Sequence, residues 1–315
     1  MKILVIATGG TIGSTFDGAA INVDASQTCA VVDMYQREHD DAQFDTVVPL
    51  NILSESVTAA DLNLLSKTIL TTDVSPYDGV IFTSGSDNLG YLAPFIGLLT
   101  DRWNKSVVIV ATDKVLTDPT ANGYPNFCAA IALIREGEIG AFVPYRNADG
   151  VVYIHSATDI RQADLSDDFF SFLGAYAVMK DDQIIPQKKY IKQTIPAIFD
   201  RDHLPVISNN TMLIHPYPLM DYATIDPEGK RAVLHTLYHS STLDSEGLRG
   251  LVERLGDTPL YLASFRSTKN RYQTAVDAIA LGGIPLTDIS PECAYVKLML
   301  ACAQDGLSVR EFMED

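Results

Sequence analysis

Two hydroxyl side chains stand beside glycines at the ends of apolar runs, and a carboxylate accompanies one of them. Thr11 follows Thr8-Gly9-Gly10 after the run 2–7, and Ser86 with Asp87 follows Ser84-Gly85 after the run 79–83. A hydroxyl attacks a carbonyl carbon when a neighbouring group handles its proton and fixed donors hold the oxyanion that forms. Thr11 could be such a nucleophile, and the backbone N–H groups of the two glycine turns suit the second task. Glycine favours such sharp turns because a Cβ would obstruct them. Taken singly, each turn is equally the mark of a purely structural connection. The dinucleotide fingerprint G-x-G-x-x-G ending at Gly13 is broken, since its first glycine position holds Thr8, and no Gly-Lys-Ser or Gly-Lys-Thr of a phosphate loop follows.

The elements that must hold these residues alternate. Strand-like apolar runs at 3–7, 47–52, 79–83, 106–111 and 139–143 are interleaved with helical patterns at 58–70, 88–101 and 125–136. That rhythm predicts a mainly parallel sheet flanked by helices, with ligands bound at the carboxyl edge. Ser54 and Ser56 leave the second strand, and Thr58 followed by Asp61 reads as a capping box for the next helix. The stretch 182–205, rich in lysine, proline and glutamine, lacks a steady period and reads as a join. A second series follows, with strands near 211–215, 231–237 and 258–264 and helices near 243–255, 272–281 and 291–304. The fold class expected is α/β: a larger N-terminal domain over 1–185, a linker over 186–205 and a smaller C-terminal α/β domain over 206–315.

The 315 residues carry a net charge of −17, which disfavours nucleic acid and anionic membrane as partners and points to a small molecule. No run reaches the roughly 18 apolar residues of a membrane span, and the chain enters a core strand at once, so the expectation is a soluble, cytoplasmic protein. Cys29, Cys128, Cys293 and Cys302 lack C-x-x-C spacing and read as small core residues, while the six histidines form no H-E-x-x-H pair. No metal and no cofactor are expected.

At this point Thr8-Gly9-Gly10-Thr11-Ile12 and the segment 78–89 resemble the two signatures of the bacterial L-asparaginase/glutaminase family, the threonine-nucleophile amidohydrolases. Two further segments are similar: Ala121-Asn122-Gly123-Tyr124-Pro125-Asn126 to the family's Ala-Asp-Gly-x-x-Asn, and 283–299, with Pro291-Glu292 and Lys297-Leu298-Met299, to the C-terminal segment of its cytoplasmic type. The resemblance implies Thr11 as nucleophile, Ser54 and Glu55 in substrate binding with Ser54 receiving the α-carboxylate, and Asp87 pairing the α-ammonium. It implies Ser86 in place of the family's second threonine and Asn270 as a substrate contact from a neighbouring subunit, hence a homodimer or homotetramer. The implied reaction hydrolyses a side-chain amide through an acyl-enzyme.

Three departures accompany the matches. The segment 17–22 lacks the family's assisting tyrosine, Arg161 stands where its lysine is expected, and Ser86 lacks the threonine methyl. Arginine keeps its proton at any working pH, so it supplies charge and no base. Losing a general base typically lowers a rate by about 10²–10⁴. Lys114, Tyr35 and Tyr272 are candidate replacements, Lys114 foremost. The readings that follow are an L-asparaginase, an amino-acid-binding relative without turnover, a glutaminase or other small-amide hydrolase, and a transfer-RNA-linked amidase, the last disfavoured by the acidic charge.

Overall fold

The computed structural model describes residues 1–16, 18–23, 29–164 and 166–314. Its contacts divide the chain into two compact units: Met1–Thr194 with Ile198–Leu204, and Ile195–Ala197 with Pro205–Asp315.

In chain order the first unit contains β1 (Lys2–Ala7), β2 (Ser14–Phe16), β3 (Ile21–Val23), α1 (Ala30–Glu38), β4 (Gln43–Val47), α2 (Ala59–Thr71) and β5 (Gly79–Thr83). It continues through α3 (Leu89–Thr100), β6 (Ser106–Val110), α4 (Gly123–Glu136), β7 (Gly140–Arg146), β8 (Val152–Ser156), β9 (Ala177–Lys180) and β10 (Gln183–Pro186). Eight of the strands form one sheet in the order β10-β9-β8-β7-β6-β5-β1-β4. Pairing is parallel from β4 to β7. The carboxyl ends of β1, β5, β6 and β7 therefore share one edge. Apart from Lys2, Thr83 and Ser106 at their ends, β1, β5 and β6 are apolar, and they are almost fully buried, as strands covered on both faces must be. α3, LGYLAPFIGLLT, is apolar on nearly every side and is buried on nearly every side.

Two departures from the sequence expectation have physical causes. The second strand lies at 43–47 rather than 47–52, because β4 is an edge strand, largely exposed, whose Gln43, Asp45 and Thr46 give no apolar signal. Pro49 cannot donate to a ladder, and Ile52 rejoins the sheet only by an isolated bridge to Gly9. Beyond β7 the pairing turns antiparallel through β8, β9 and β10. The reversal is a hairpin closed by the Asn147 N–H on the Val151 carbonyl at 3.1 Å, with Gly150 at φ +83. The capping box forms: Thr58 and Asp61 exchange side-chain to backbone hydrogen bonds at the start of α2.

The second unit holds β11 (Thr211–Ile214), β12 (Ala232–Thr236), α5 (Ser245–Leu255), β13 (Leu260–Phe265), α6 (Gln273–Ala280), β14 (Ile284–Thr287), α7 (Pro291–Cys302) and α8 (Val309–Glu314). Its sheet is parallel in the order β11-β12-β13-β14. Leu248, Leu251 and Leu262 centre its core. Among the described residues no helix is long and apolar enough to cross a membrane.

A buried histidine in each unit makes stability depend on pH. Burial lowers His155 of β8 to about 3 and His235 of β12 to about 4, from the ordinary 6.5. His235 Nε2 faces the Tyr222 hydroxyl at 2.9 Å and Nδ1 the Thr236 carbonyl at 2.5 Å. Between pH 6.5 and 4 the unfolded chain takes up a proton that the native imidazole refuses, so stability is whole above 6.5 and falls as pH drops. For His235 the loss reaches roughly 3 kcal/mol. Urea midpoints are expected to fall across this window, and less steeply in His235→Gln. Parallel pH dependences in the two proteins would refute the assignment.

Candidate active site

The two glycine turns are built into each other at the carboxyl edge. Gly9 and Gly10 leave β1 at φ +100 and +82. The Gly10 N–H donates to the Ile52 carbonyl at 2.8 Å, and the Ile52 N–H to the Thr8 carbonyl at 3.3 Å. A Cβ on Gly10 would collide with the backbone of Gly85 and Ser84, and one on Gly85 with the Ser54 hydroxyl. Glycine at 10 and 85 thus lets three loop tips come into close contact. Thr11 opens a single 3₁₀ turn, Thr11–Gly13, closed by the Gly13 N–H and the Ser14 hydroxyl, both on the Gly10 carbonyl at 2.9 Å. Thr11 is half-buried, Ser54 is buried and Asp87 is exposed.

Ser54 begins a second 3₁₀ turn, Ser54–Ser56, which leaves Glu55 exposed. The Asn88 side-chain amide donates to the Ser54 carbonyl, tying this turn to the start of α3. Ser86 and Asp87 directly precede α3, whose N-terminal dipole favours negative charge at that point. A cavity of about 10 Å³ among Thr8, Ser54, Gly85 and the apolar Leu50, Leu65 and Leu92 holds one water at most, so the tips are packed on each other from beneath.

Arg161 reaches this neighbourhood through its chain neighbour. Gln162 donates its side-chain N–H to the Asp87 carbonyl at 2.8 Å and accepts the Gly90 N–H at 3.0 Å. A Cβ on Gly90 would strike the Gln162 backbone, so the segment lies flat on the first turn of α3. The Arg161 N–H donates to the Phe170 carbonyl at 2.8 Å. Asn88 and Gln162 leave no sequence signal: they recognise backbone carbonyls 34 and 75 positions away, and no local pattern marks such a bond.

Gly10 N–H is committed to Ile52, whereas for the N–H groups of Gly9, Thr11, Gly85 and Ser86 no acceptor is found among the described residues. The replacement bases are held elsewhere. The Tyr35 hydroxyl donates to Asp41 at 2.9 Å, and burial followed by that bond pushes its pKa up to about 12. The Lys114 ammonium donates to the Thr120 hydroxyl at 2.7 Å. Tyr272 and Asn270 are exposed, in the second unit. Asp17, the first residue of the segment where the assisting tyrosine is expected, lies outside the described residues.

A family model described as Asparaginase, N-terminal, matches residues 2–183, more than half of the chain. The chain belongs to the asparaginase family. Its relatives include an L-asparaginase of Thermococcus kodakarensis, 24% identical, with 100% of this chain and 97% of the relative aligned. They also include one component of the glutamyl-tRNA(Gln) amidotransferase of Methanococcus maripaludis, 23% identical over 95% of this chain and 75% of its own length. The fold is that of the probable cytoplasmic L-asparaginase from Campylobacter jejuni, with a TM-score of 0.79 at 22% identity, covering 99% of this chain and 98% of the other.

Proposed function

We propose that this protein hydrolyses the side-chain amide of a small amino acid, L-asparagine foremost, with Thr11 as nucleophile. The observation that supports the reading is the interlock of Gly10 with Gly85 and of Gly85 with Ser54, the loop tips next to Thr11 and to the Ser86-Asp87 pair. Ser54 receives the α-carboxylate, with Glu55 beside it, and Asp87 pairs the α-ammonium. Thr11 Oγ1 attacks the amide carbon, the oxyanion is met by the Thr11 and Ser86 N–H groups, and the hydroxyl proton ends on the departing nitrogen as ammonia leaves. Water then adds to the ester, its proton returns to Thr11, and the acid is released. Arg161 stabilises negative charge near Asp87 and takes no proton, so turnover is slow. The working form is a cytoplasmic homodimer or homotetramer in which Asn270 of a neighbouring copy completes the pocket.

Ammonia release from L-asparagine and L-glutamine is the test, run beside Thr11→Ala. The expected outcome is release with asparagine that falls at least about 10³-fold in the variant, the scale of losing a covalent nucleophile. Equal release from both proteins would refute the role of Thr11. A second reading, an amino-acid-binding relative without turnover, draws support from the engagement of Tyr35 by Asp41 and of Lys114 by Thr120, which leaves neither as a base. Saturable aspartate binding without ammonia release would favour it.

A further inference from the structure

The carboxyl edge of the large sheet carries another concavity, at the tips of β6 and β7. It encloses about 390 Å³ and is lined chiefly by Asp113, Lys114, Asn122, Arg146, Asp167 and Asp168. It shares no lining residue with the cavity among Thr8, Ser54 and Gly85. Two to three strand spacings, or about 10–14 Å, separate these tips from that of β1, and one to two, or about 5–10 Å, from that of β5.

Its charges are of both signs and are not paired with each other. Lys114 donates to the Thr120 hydroxyl at 2.7 Å, and the Arg146 guanidinium to the carbonyls of Thr120 and Ala121 at 3.0 and 3.2 Å. Neither cation forms an ion pair among the described residues. Asp113 accepts the Asn122 N–H at 2.9 Å and Asp168 the Ala148 N–H at 2.7 Å, while Asp167 is exposed and accepts no hydrogen bond from a described residue.

Close to these carboxylates is a buried hydroxyl. Tyr145 is 1% exposed, and among the described residues no group meets its Oη at hydrogen-bond geometry. Burial raises its pKa above the ordinary tyrosine range, the neighbouring Asn122 side chain works against that rise, and the carboxylates of Asp113, Asp167 and Asp168 add to it, so the group stays neutral. The adjacent Asn122 side chain is already engaged, donating to the Arg146 carbonyl and accepting the Asp113 N–H, both at 2.9 Å. A buried donor in that position costs free energy until an acceptor meets it.

We infer that this cavity binds a small zwitterion of the α-amino-acid class, its carboxylate held by Arg146 and Lys114, and its ammonium by Asp167 and Asp168. A simple anion would face three carboxylates, and a simple cation would face Lys114 and Arg146. A ligand carrying both charges satisfies both sets, and the volume suits a molecule of that size.

Calorimetric titration of L-serine into the full chain tests this, with Asp167→Asn and Asp87→Ala alongside. Asp167 makes no contact on which folding depends, so its variant should keep the wild-type thermal midpoint. The expected result is saturable binding that weakens about tenfold in Asp167→Asn, the scale of one charge-assisted bond, and persists in Asp87→Ala. Absence of binding to the wild type would overturn the proposal. Equal affinity in Asp167→Asn would overturn it too, as would acetate or methylammonium binding as tightly as serine. Loss of the event in Asp87→Ala would assign it to the candidate active site instead. None of these outcomes depends on whether ammonia is released.

Discussion

Gly10→Ala is expected to lower the thermal midpoint by about 10 °C and to remove hydrolysis together. Gly10 sits at φ +82 and ψ −178, a region essentially closed to residues with a side chain. Holding alanine there costs roughly 1–3 kcal/mol, and its methyl would also meet the backbone of Gly85 and Ser84, which has no rotamer to yield. Overpacking of that kind adds roughly 1–3 kcal/mol, and each kcal/mol moves the midpoint of a unit this size by about 2–4 °C. The turn can relieve the clash only by moving Thr11 away from Ser86, and a displacement of about 1 Å costs on the order of 10² in rate. Gly137 supplies the control. It ends α4 at φ +72 and ψ +27, a left-handed region that alanine enters at lower cost, with nothing within 4 Å of a Cβ, so Gly137→Ala bears a positive φ without the collision. Differential scanning calorimetry of the two variants separates the contributions, and equal midpoints would mean that the Gly10–Gly85 approach is not what holds the turn.

The parts of this fold that could be read from sequence are those whose physics is local. β1, β5 and β6 declare themselves because burial on both faces demands unbroken apolar runs, and α2 declares its start because Thr58 and Asp61 satisfy each other three residues apart. β4 stays hidden because an edge strand has one neighbour and tolerates Gln43, Asp45 and Thr46, so pairing with β1 overrides its composition. The antiparallel β8–β10 extension is set by the tight turn at Asn147 and Gly150, which an apolar-run count does not register. The same division holds at the site. Hydroxyls beside glycines mark Thr11 and Ser86, whereas Asn88 and Gln162 act by grasping distant carbonyls and look like ordinary polar residues. Tyr145 reads as one more aromatic in a core strand, and its unmet hydroxyl exists only once Asn122 has folded against the Arg146 carbonyl.

Arg161→Lys is expected to raise kcat/KM for L-asparagine by about 10–10², on the proposed reading that position 161 is where a proton-handling lysine would stand. The argument is one of proton affinity. Guanidinium stays charged at every working pH, so it attracts negative charge and never accepts a proton, whereas an amine in the same place can cycle. A positioned general base typically contributes about 10²–10⁴, and a newly introduced one with an unadapted shell recovers only part of that. The backbone favours the exchange: the Arg161 N–H is anchored to Phe170, and Gln162 fixes the next residue against the Asp87 carbonyl and the Gly90 N–H, so the substitution changes the head group on a placed stem. The rate–pH profile carries the decisive signature. Lysine must lose its proton before it can act, so the variant's rate should climb with pH along a limb that the arginine protein lacks. A rise in rate without that limb would assign the gain to packing, and no rise at all, with folding intact, would remove position 161 from the proton path. Adding Ser86→Thr then tests the last departure: the methyl restricts the hydroxyl to fewer rotamers, and a further gain is expected only if Ser86 Oγ lies on the route the proton takes.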